Sequence, residues 1–193
     1  MRDMQDEAGA PLIAADESPS TPQRPTDRRG LFALLVGSAL VAYVLDQATK
    51  AWALSALDVG APVNVVGELI RLNLIRNAGA AFSIGDGATW VLTLIAFGVL
   101  VVIIRTARRI GSRGWAVALG LLLGGSLGNL TDRMTREPGP GRGHVVDFID
   151  YFGLFIGNVA DIAIVVGAGI IMVLSFRGTS LAGPVHRPEH ADD

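Results

Sequence analysis

The stretch GHVVDFIDYFGLFIGNVADIAIVVG, which runs from Gly143 to Gly167, places a carboxylate at the start of one of the most apolar runs in the chain. Asp161 stands where that run begins, and a second acid, Asp147, precedes it by 14 residues. An ionised group inside hydrocarbon is costly, so an acid in such a position is a candidate functional residue. The stretch therefore predicts a membrane helix with a polar site at its beginning.

The composition of the whole chain supports a membrane protein. Half of the 193 residues are hydrophobic and the mean hydropathy is +0.45, and the apolar residues are gathered into blocks. The absence of cysteine excludes disulfides, thiol catalysis and cysteine metal sites. Because the three histidines are scattered, we expect neither a metal site nor a cofactor. The net charge of −2, without a basic patch interleaved with aromatic residues, argues against nucleic-acid binding.

Four apolar blocks are each close to the roughly 20 residues that a helix needs to cross hydrocarbon. These blocks, the predicted spans, are residues 31–53, 88–104, 114–131 and 155–176. The sequence thus predicts an all-α membrane protein with four transmembrane helices, contained in a domain of residues 29–177. A stripe of small residues at Gly120, Gly124 and Gly128 is typical of close helix packing.

The segments outside the spans have different characters. Residues 1–28 are rich in Pro, Asp, Glu and Ser, and we expect them, like residues 178–193, to form disordered cytoplasmic tails. Residues 54–87 contain LIRLNLIRN, whose partial alternation of apolar and polar residues predicts a small extracytoplasmic β-sheet. Residues 132–154 contain PGPGRG, which predicts an outer loop.

The arginines determine the predicted orientation, because basic residues favour the cytoplasmic side of a membrane. Three clusters of basic residues all fall on one side of a four-span topology, so both termini are expected in the cytoplasm. The clusters are Arg24, Arg28 and Arg29, then Arg105, Arg108, Arg109 and Arg113, and finally Arg177.

Helix geometry then gives a depth for the polar residues of the spans. Asp46, Asn129 and Asp161 each lie 16 or 17 residues from the arginine that bounds their helix on the inner side. At about 1.5 Å per residue this is roughly 25 Å, within a hydrocarbon layer about 30 Å thick. The three helices therefore present polar groups at one depth, close to the outer boundary of the bilayer.

Two carboxylates held close together do not both ionise easily, so the pair can act as base and acid. One carboxylate takes a proton from water, which attacks an amide carbonyl, and the other supplies a proton as the amide breaks. Asp147 and Asp161 are the candidate pair. The alternatives are that Asp147 is a solvated loop acid and that Asp161 is favoured by the helix dipole. Asp132 competes with Asp147 as a partner of Asp161, but its neighbour Arg133 favours a structural salt bridge.

Three further pairs share a helix face. Asn129 and Asp132, like Asn158 and Asp161, are three residues apart, so a carboxamide can orient the carboxylate beside it. Asp46 and Lys50 are spaced i, i+4, which suits an ion pair. Either Lys50, the only lysine of the chain, reaches outward as an interfacial anchor, or the pair anchors a substrate headgroup or the outer sheet.

Taken together, these residues resemble the lipoprotein signal peptidases (signal peptidase II) over about residues 31–176, with five motifs in the family's order. The motifs are matched by Asp46-Gln47-Ala48-Thr49-Lys50, Asn77-Ala78-Gly79-Ala80-Ala81-Phe82, Gly128-Asn129-Leu130-Thr131-Asp132-Arg133, Val145-Val146-Asp147-Phe148 and Asn158-Val159-Ala160-Asp161.

The resemblance implies a membrane aspartyl endopeptidase that removes signal peptides from diacylated prolipoproteins, cutting before the diacylglyceryl-modified cysteine of the substrate. It implies that Asp147 and Asp161 are catalytic, in a monomeric enzyme of the bacterial cell membrane that contacts membrane lipids and has its active site near the outer face. The residues implied to bind substrate or support the site are Asp46, Lys50, Asn77, Gly79, Asn129, Asp132, Arg133, Asn158 and Ala160.

This chain departs from the family pattern at two places. Gly157 stands where the family usually has Phe, and the 14-residue gap between the two acids is short for the family. Two other functions are compatible with acids in membrane helices. A small proton-coupled transporter would place its acids near the midplane, and a non-catalytic scaffold would leave the common depth of the polar groups unexplained.

Overall fold

The structure is a computed structural model, and it describes residues 28–79 and 89–182. It contains four helices that are long and apolar enough to cross a membrane, together with a small antiparallel sheet, which confirms the predicted fold class. The elements are α1 (Arg28–Ala56), β1 (Val63–Val66), β2 (Ile70–Asn77), α2 (Thr89–Ala107), α3 (Arg113–Thr135), β3 (Val145–Tyr151), β4 (Phe155–Gly157) and α4 (Val159–Phe176).

The sheet extends beyond the segment in which it was predicted. Only β1 and β2 lie within residues 54–87, whereas β3 lies in the predicted outer loop and β4 occupies the predicted start of the fourth span. The strand order is β1-β2-β3-β4. The prediction of a loop over 132–154 was therefore wrong for β3, and Asp147 is a strand residue that pairs with Ile75 of β2.

The helix bounds also differ from the predicted spans. The first helix begins at Arg28 and ends at Ala56, and the third continues to Thr135, four residues beyond the predicted end. The fourth begins only at Val159, because residues 155–157 pair with β3. Of the predicted disordered tails, residues 1–27 and 183–193 lie outside the described residues, as do Ala88 of the second span and residues 80–82 of the second motif.

Residues that follow α4 pack against the start of α3. The indole Nε1 of Trp115 donates to the carbonyl oxygen of Thr179 at 3.0 Å, and the backbone N–H of Gly111 donates to the carbonyl oxygen of Leu181 at 2.7 Å. Leu181 also packs on the apolar cluster that contains Leu31 and Leu35. The part of the C-terminal segment that the structure describes is therefore bound to the bundle.

Glycine lets the bundle close around α3, which packs against each of the other three helices. A Cβ on Gly124 would overlap the carbonyl oxygen of Ala39 on α1, and one on Gly125 would lie 2.6 Å from the carbonyl oxygen of Ala160 on α4. Close approach of this kind requires the missing side chain. It holds α1 and α4 on adjacent faces of α3, so that polar residues on all three helices can meet.

The sheet is attached to the end of this bundle by a second apolar cluster. Ala53 of α1 packs with Leu74 of β2 and with Val146 and Phe148 of β3, and the ring of Trp52 lies edge-on to Phe148 with centroids 6.3 Å apart. Because side chains alternate along a strand, burying Val146 and Phe148 turns Asp147 to the opposite face of β3.

Candidate active site

The two acids of the sequence pattern reach one site from different elements. Asp147 is the third residue of β3, and Asp161 is the third residue of α4. Asn158 is the N-cap of α4 and forms a capping box with Asp161: its side-chain oxygen accepts from the N–H of Asp161 at 3.1 Å, and Oδ2 of Asp161 accepts from the N–H of Asn158 at 3.0 Å. The cap thus fixes the carboxylate of Asp161 at the helix start.

Asn158 also bridges the two acids. Its Nδ2 donates to Oδ1 of Asp147 at 2.6 Å, while its backbone N–H binds Asp161. Asn158 is completely buried. A single rigid residue therefore sets the positions of both carboxyl groups relative to each other.

Asp147 is almost completely enclosed, with 2% of its surface exposed. Its Oδ2 accepts a second hydrogen bond, from Nδ2 of Asn77 at 2.8 Å. Burial is the largest influence on its acidity and raises the pKa of Asp147 from the ordinary 3.8 to about 6; the hydrogen bond from Asn77 opposes the rise and the charge of Asp161 adds to it. Asp147 is therefore not a solvated loop acid.

Asp161 is held by α3 as well as by its own cap. Nδ2 of Asn129 donates to Oδ1 of Asp161 at 3.0 Å, and Oδ1 of Asn129 accepts from Nδ2 of Asn158 at 3.1 Å. Asn129 in turn is oriented by Lys50, whose Nζ donates to Oδ1 of Asn129 at 2.9 Å. A chain of hydrogen bonds thus connects Asp161 to α1.

Lys50 lies at the centre of a buried charge network. Its Nζ contacts Oδ2 of Asp46 at 2.9 Å and Oδ2 of Asp132 at 2.8 Å, and all three side chains have no exposed surface. The predicted ion pair with Asp46 is therefore present, whereas the alternative in which Lys50 reaches outward to the interface is wrong. With two carboxylates and Asn129 around it, the ammonium makes a set of bonds that satisfies its three donors.

Asp132 is the structural acid that the sequence indicated, but its partners differ from the expected one. Its Oδ1 accepts from Nε of Arg136 at 2.6 Å, and its Oδ2 binds Lys50. Oδ2 also accepts from the backbone N–H of Val146 at 3.2 Å. This last bond ties β3 to α3 one residue before Asp147, and so helps to place the acid.

Arg133, the partner expected for Asp132, has a buried side-chain nitrogen that no residue of the described ranges, 28–79 and 89–182, contacts through a hydrogen bond. Among the residues that the structure describes, its Nη1 is the one buried side-chain nitrogen or oxygen that has no hydrogen-bond partner. The guanidinium lies near enough to Asp147 and Asp132 to interact with both charges. A buried donor without an acceptor is costly, which makes Nη1 a candidate donor to a substrate.

Asp46 connects α1 to the start of α4. Its Oδ1 accepts from the backbone N–H of Ala160 at 3.0 Å, which explains the place of Ala160 in the motif. A Cβ on Gly128 would overlap Oδ2 of Asp46. Gly128 is thus part of the site as well as of the glycine stripe.

Gly79, two residues beyond the end of β2, supports the site. Its φ of 111° is open to glycine but rarely adopted by other residues, and its N–H donates to Oδ1 of Asn77 at 2.7 Å. This bond orients the carboxamide whose Nδ2 binds Asp147. All eleven residues that the sequence and the resemblance singled out therefore lie in or directly beside one connected polar cluster.

Comparison with known proteins agrees with this arrangement. A family model described as signal peptidase (SPase) II matches residues 38–177, a range that includes all eleven candidate site residues. The chain belongs to the signal peptidase II family. Family membership confirms the prediction of a multi-pass bacterial membrane protein that is a protease.

Relatives in the signal peptidase II family match most of the chain. The lipoprotein signal peptidase of Leifsonia xyli subsp. xyli is 47% identical over 173 residues, which cover 89% of this chain and 80% of that protein. The lipoprotein signal peptidase of Streptomyces griseus subsp. griseus is 48% identical over 160 residues, which cover 83% of this chain and 81% of that protein.

A solved structure has the same fold. It is a bacterial membrane enzyme determined by the in meso method at 1.9 Å resolution, and it superposes with a TM-score of 0.66 at 26% identity, covering 75% of this chain and 94% of that one.

Within residues 28–79 and 89–182, no group of three or more His, Cys, Asp or Glu side chains is arranged to hold a metal ion.

Sequence reasoning missed two members of the candidate site. Gln47 donates from Nε2 to Oδ2 of Asp46 at 3.0 Å and to the carbonyl oxygen of Gly128 at 3.2 Å, so it links α1 to α3. Arg136 neutralises Asp132. The signal for Arg136 was its i, i+4 spacing from Asp132, whereas Gln47 could be found only from the packing of α1 on α3.

Proposed function

We propose that Asp147 and Asp161 are the catalytic dyad of a membrane aspartyl endopeptidase that removes signal peptides from prolipoproteins, cutting before the diacylglyceryl-modified cysteine of the substrate. Family membership supports the reaction. The observation that carries the assignment of the dyad is the bridge through Asn158, which binds Asp147 at 2.6 Å and Asp161 at 3.0 Å.

In the proposed reaction, Asp147 holds the proton that the two acids share. Burial raises its pKa to about 6, and two close carboxylates do not both ionise easily. Asp161 takes a proton from a water molecule, whose oxygen attacks the carbonyl carbon of the scissile amide. The proton of Asp147 passes to the amide nitrogen as the C–N bond breaks, so the products are a carboxyl group on the signal peptide and an amine on the cysteine.

The surrounding residues are proposed to position these groups. Asn77 and Asn129 orient Asp147 and Asp161 through the hydrogen bonds at 2.8 and 3.0 Å. Nη1 of Arg133, which has no hydrogen-bond partner among the described residues, is the proposed donor to a carbonyl oxygen of the bound substrate. Hydrogen-bond donors that are already oriented toward the position of the oxygen, in a site that excludes water, stabilise negative charge in a transition state effectively.

The proposed place of the reaction is the outer face of the membrane. The arginine clusters support an orientation with both termini in the cytoplasm, and Asp161 lies at the opposite end of α4 from Arg177. A precursor anchored by its lipid presents its scissile bond near the outer surface. We propose that a monomer carries the complete site, since α1, β2, α3, β3 and α4 of one chain supply its residues.

The test is cleavage of a diacylated precursor peptide by protein reconstituted in liposomes. Asp147→Asn and Asp161→Asn are each expected to lower the rate at least about 100-fold, the lower range for loss of a general acid or base, while the fold is retained. Asp150→Asn is the matched control, because Asp150 is a buried acid on the same strand that pairs with Arg71 instead. Normal cleavage by either dyad variant would overturn the assignment.

A further inference from the structure

Two adjoining cavities form one apolar groove along α1 and α3. Their volumes are about 460 and 340 Å³, and both are lined by Val36 and Leu123, so they meet at these residues. Each volume lies in the range of sites that bind small molecules. The α1–α3 groove, as we call it, is walled by Leu31, Leu35, Val36, Ile104, Leu123 and Leu127.

One end of the groove is cationic. Arg28 of α1 and Arg108, which follows α2, both line the larger cavity, and none of the described residues that line either cavity is acidic. Both arginines are exposed. Arg28 is 18 residues from Asp46, or roughly 27 Å along a helix, so this end lies far from the candidate active site.

The other end of the groove is lined by two residues that carry hydroxyl groups, Tyr43 and Thr131. The hydroxyl of Thr131 donates to Leu127 and lies 3.4 Å from the hydroxyl of Tyr43. The α1–α3 groove is therefore apolar along the membrane-spanning part of α1 and α3, can accept a chain of methylene groups, and has positive charge at one end only.

We propose that the α1–α3 groove binds an anionic phospholipid, with the phosphate between Arg28 and Arg108 and an acyl chain along Val36 and Leu123. The signal peptide of a substrate is the alternative occupant. The positive charge of the groove disfavours it, because the n-region of a signal peptide is itself basic. This inference does not depend on the proposed function.

In the proposed complex, the lipid would connect α1 to α2 at the end that carries the arginines. α1 packs mainly on α3 and α2 also packs on α3, and at the end that carries the arginines the groove is lined by residues of both α1 and α2. A lipid whose phosphate binds one arginine from each side joins the two helices there. Any ligand that binds only the folded state stabilises it, and the lipid should therefore raise the thermal midpoint of unfolding.

The experiment measures lipid binding by native mass spectrometry, and the thermal midpoint, of the full chain in neutral detergent. The probes are phosphatidylglycerol and phosphatidylcholine with identical chains, and glycerol 3-phosphate. Phosphatidylglycerol is expected to bind and to raise the midpoint, phosphatidylcholine to bind at least tenfold more weakly, and glycerol 3-phosphate to have no effect. Equal binding of the two lipids, or an equal effect of glycerol 3-phosphate, would overturn the proposal.

Variants locate the site. Arg28→Gln with Arg108→Gln should weaken phosphatidylglycerol binding roughly 30-fold, at about a factor of five for each basic residue near a charged headgroup. The matched control is Arg113→Gln with Arg177→Gln, two exposed arginines at the same end that do not line the groove, and it should bind normally.

A third variant tests the path of the acyl chain. Val36 is 44% exposed, so Val36→Trp can fill the groove without disturbing the core, and it should abolish the gain in thermal midpoint on adding phosphatidylglycerol. An undiminished gain in this variant would show that the acyl chain lies elsewhere, and equal losses in the groove and control arginine pairs would show that the charge acts without a defined site.

Discussion

The enclosure of Asp147 has a direct consequence for pH dependence. Its pKa is raised to about 6, so its proton is present below pH 6 and is lost as the pH rises through that value. Because the proposed reaction needs this proton, kcat/KM for precursor cleavage should fall on the alkaline side of about pH 6. The pH profile of the reconstituted protein measures this directly.

Asn77→Ala tests whether the fall in kcat/KM on the alkaline side, the alkaline limb of the pH profile, comes from Asp147. Asn77 donates to Asp147 and lowers its pKa, so its removal should move the alkaline limb to higher pH as well as reduce the rate. Asn73→Ala is the control, because Asn73 lies on the same strand but hydrogen-bonds to Asp150. If the alkaline limb of Asn77→Ala stayed at the same pH, the limb would not come from the titration of Asp147.

Lys50 is the residue whose loss should cost the most stability. Lys50→Met leaves Asp46 and Asp132 buried without their common cation, and breaking a buried ion pair in this way costs about 3–5 kcal/mol. The thermal midpoint should fall accordingly, and a second change, Asp46→Asn, should recover part of the loss because one uncompensated charge is removed. Unaltered stability of Lys50→Met would contradict a stabilising role for this buried charge network.

Part of the site could be predicted from the spacing of individual residues. Helix rise alone placed Asp46, Asn129 and Asp161 at one depth, and the structure connects them through Lys50 and Asn158. The role of Asn158 as the bridge could not be predicted, because it depends on the direction of one side chain across two elements. Spacing on a helix reports which residues share a face, but not which donor meets which acceptor.

At the scale of elements, close packing of α1 on α3 makes a prediction about glycine. Gly124→Ala should lower the thermal midpoint, because the new Cβ would meet the backbone of Ala39 and lie 2.8 Å from the Cβ of Ala42, and overpacking typically costs about 1–3 kcal/mol. Gly37→Ala on α1 is the matched control, since nothing lies within 4 Å of its Cβ position. It should leave the midpoint unchanged or raise it slightly.

The strands β3 and β4 were the elements that the sequence did not reveal. Strand prediction relies on alternation of apolar and polar residues, but β3 is buried on both faces along most of its length, so its residues do not alternate. Phe155–Gly157 adjoins the apolar run of α4, so hydropathy alone predicts that it belongs to the helix. The register of β2 on β3, which brings Asn77 to Asp147, depends on pairing between distant segments.

The orientation of the whole molecule is testable because the chain has no cysteine. Val65→Cys on β1 and Arg109→Cys between α2 and α3 introduce single thiols at exposed positions on opposite sides of the bundle. A maleimide that does not cross membranes should label Val65→Cys on intact cells and label Arg109→Cys only after permeabilisation. The reverse pattern would place the candidate active site on the cytoplasmic side.

For the molecule as a whole, hydropathy and charge were sufficient for the number of spans and the class of fold, since both follow from transfer of side chains into hydrocarbon. The assembly of the polar cluster required tertiary structure. Asp132, for example, joins Lys50 of α1, Arg136 of its own helix and the backbone of β3, a combination that no local pattern contains.

The complete burial of Lys50 also makes the protein a reporter of its own unfolding. It is the only lysine in the chain, and its side chain has no exposed surface. A reagent that acylates primary amines should therefore leave this side chain intact while the helices stay together and modify it once they separate. The gain in mass on the peptide that carries Lys50 would then give the opening rate of the bundle in a native membrane, without a dye or an engineered label.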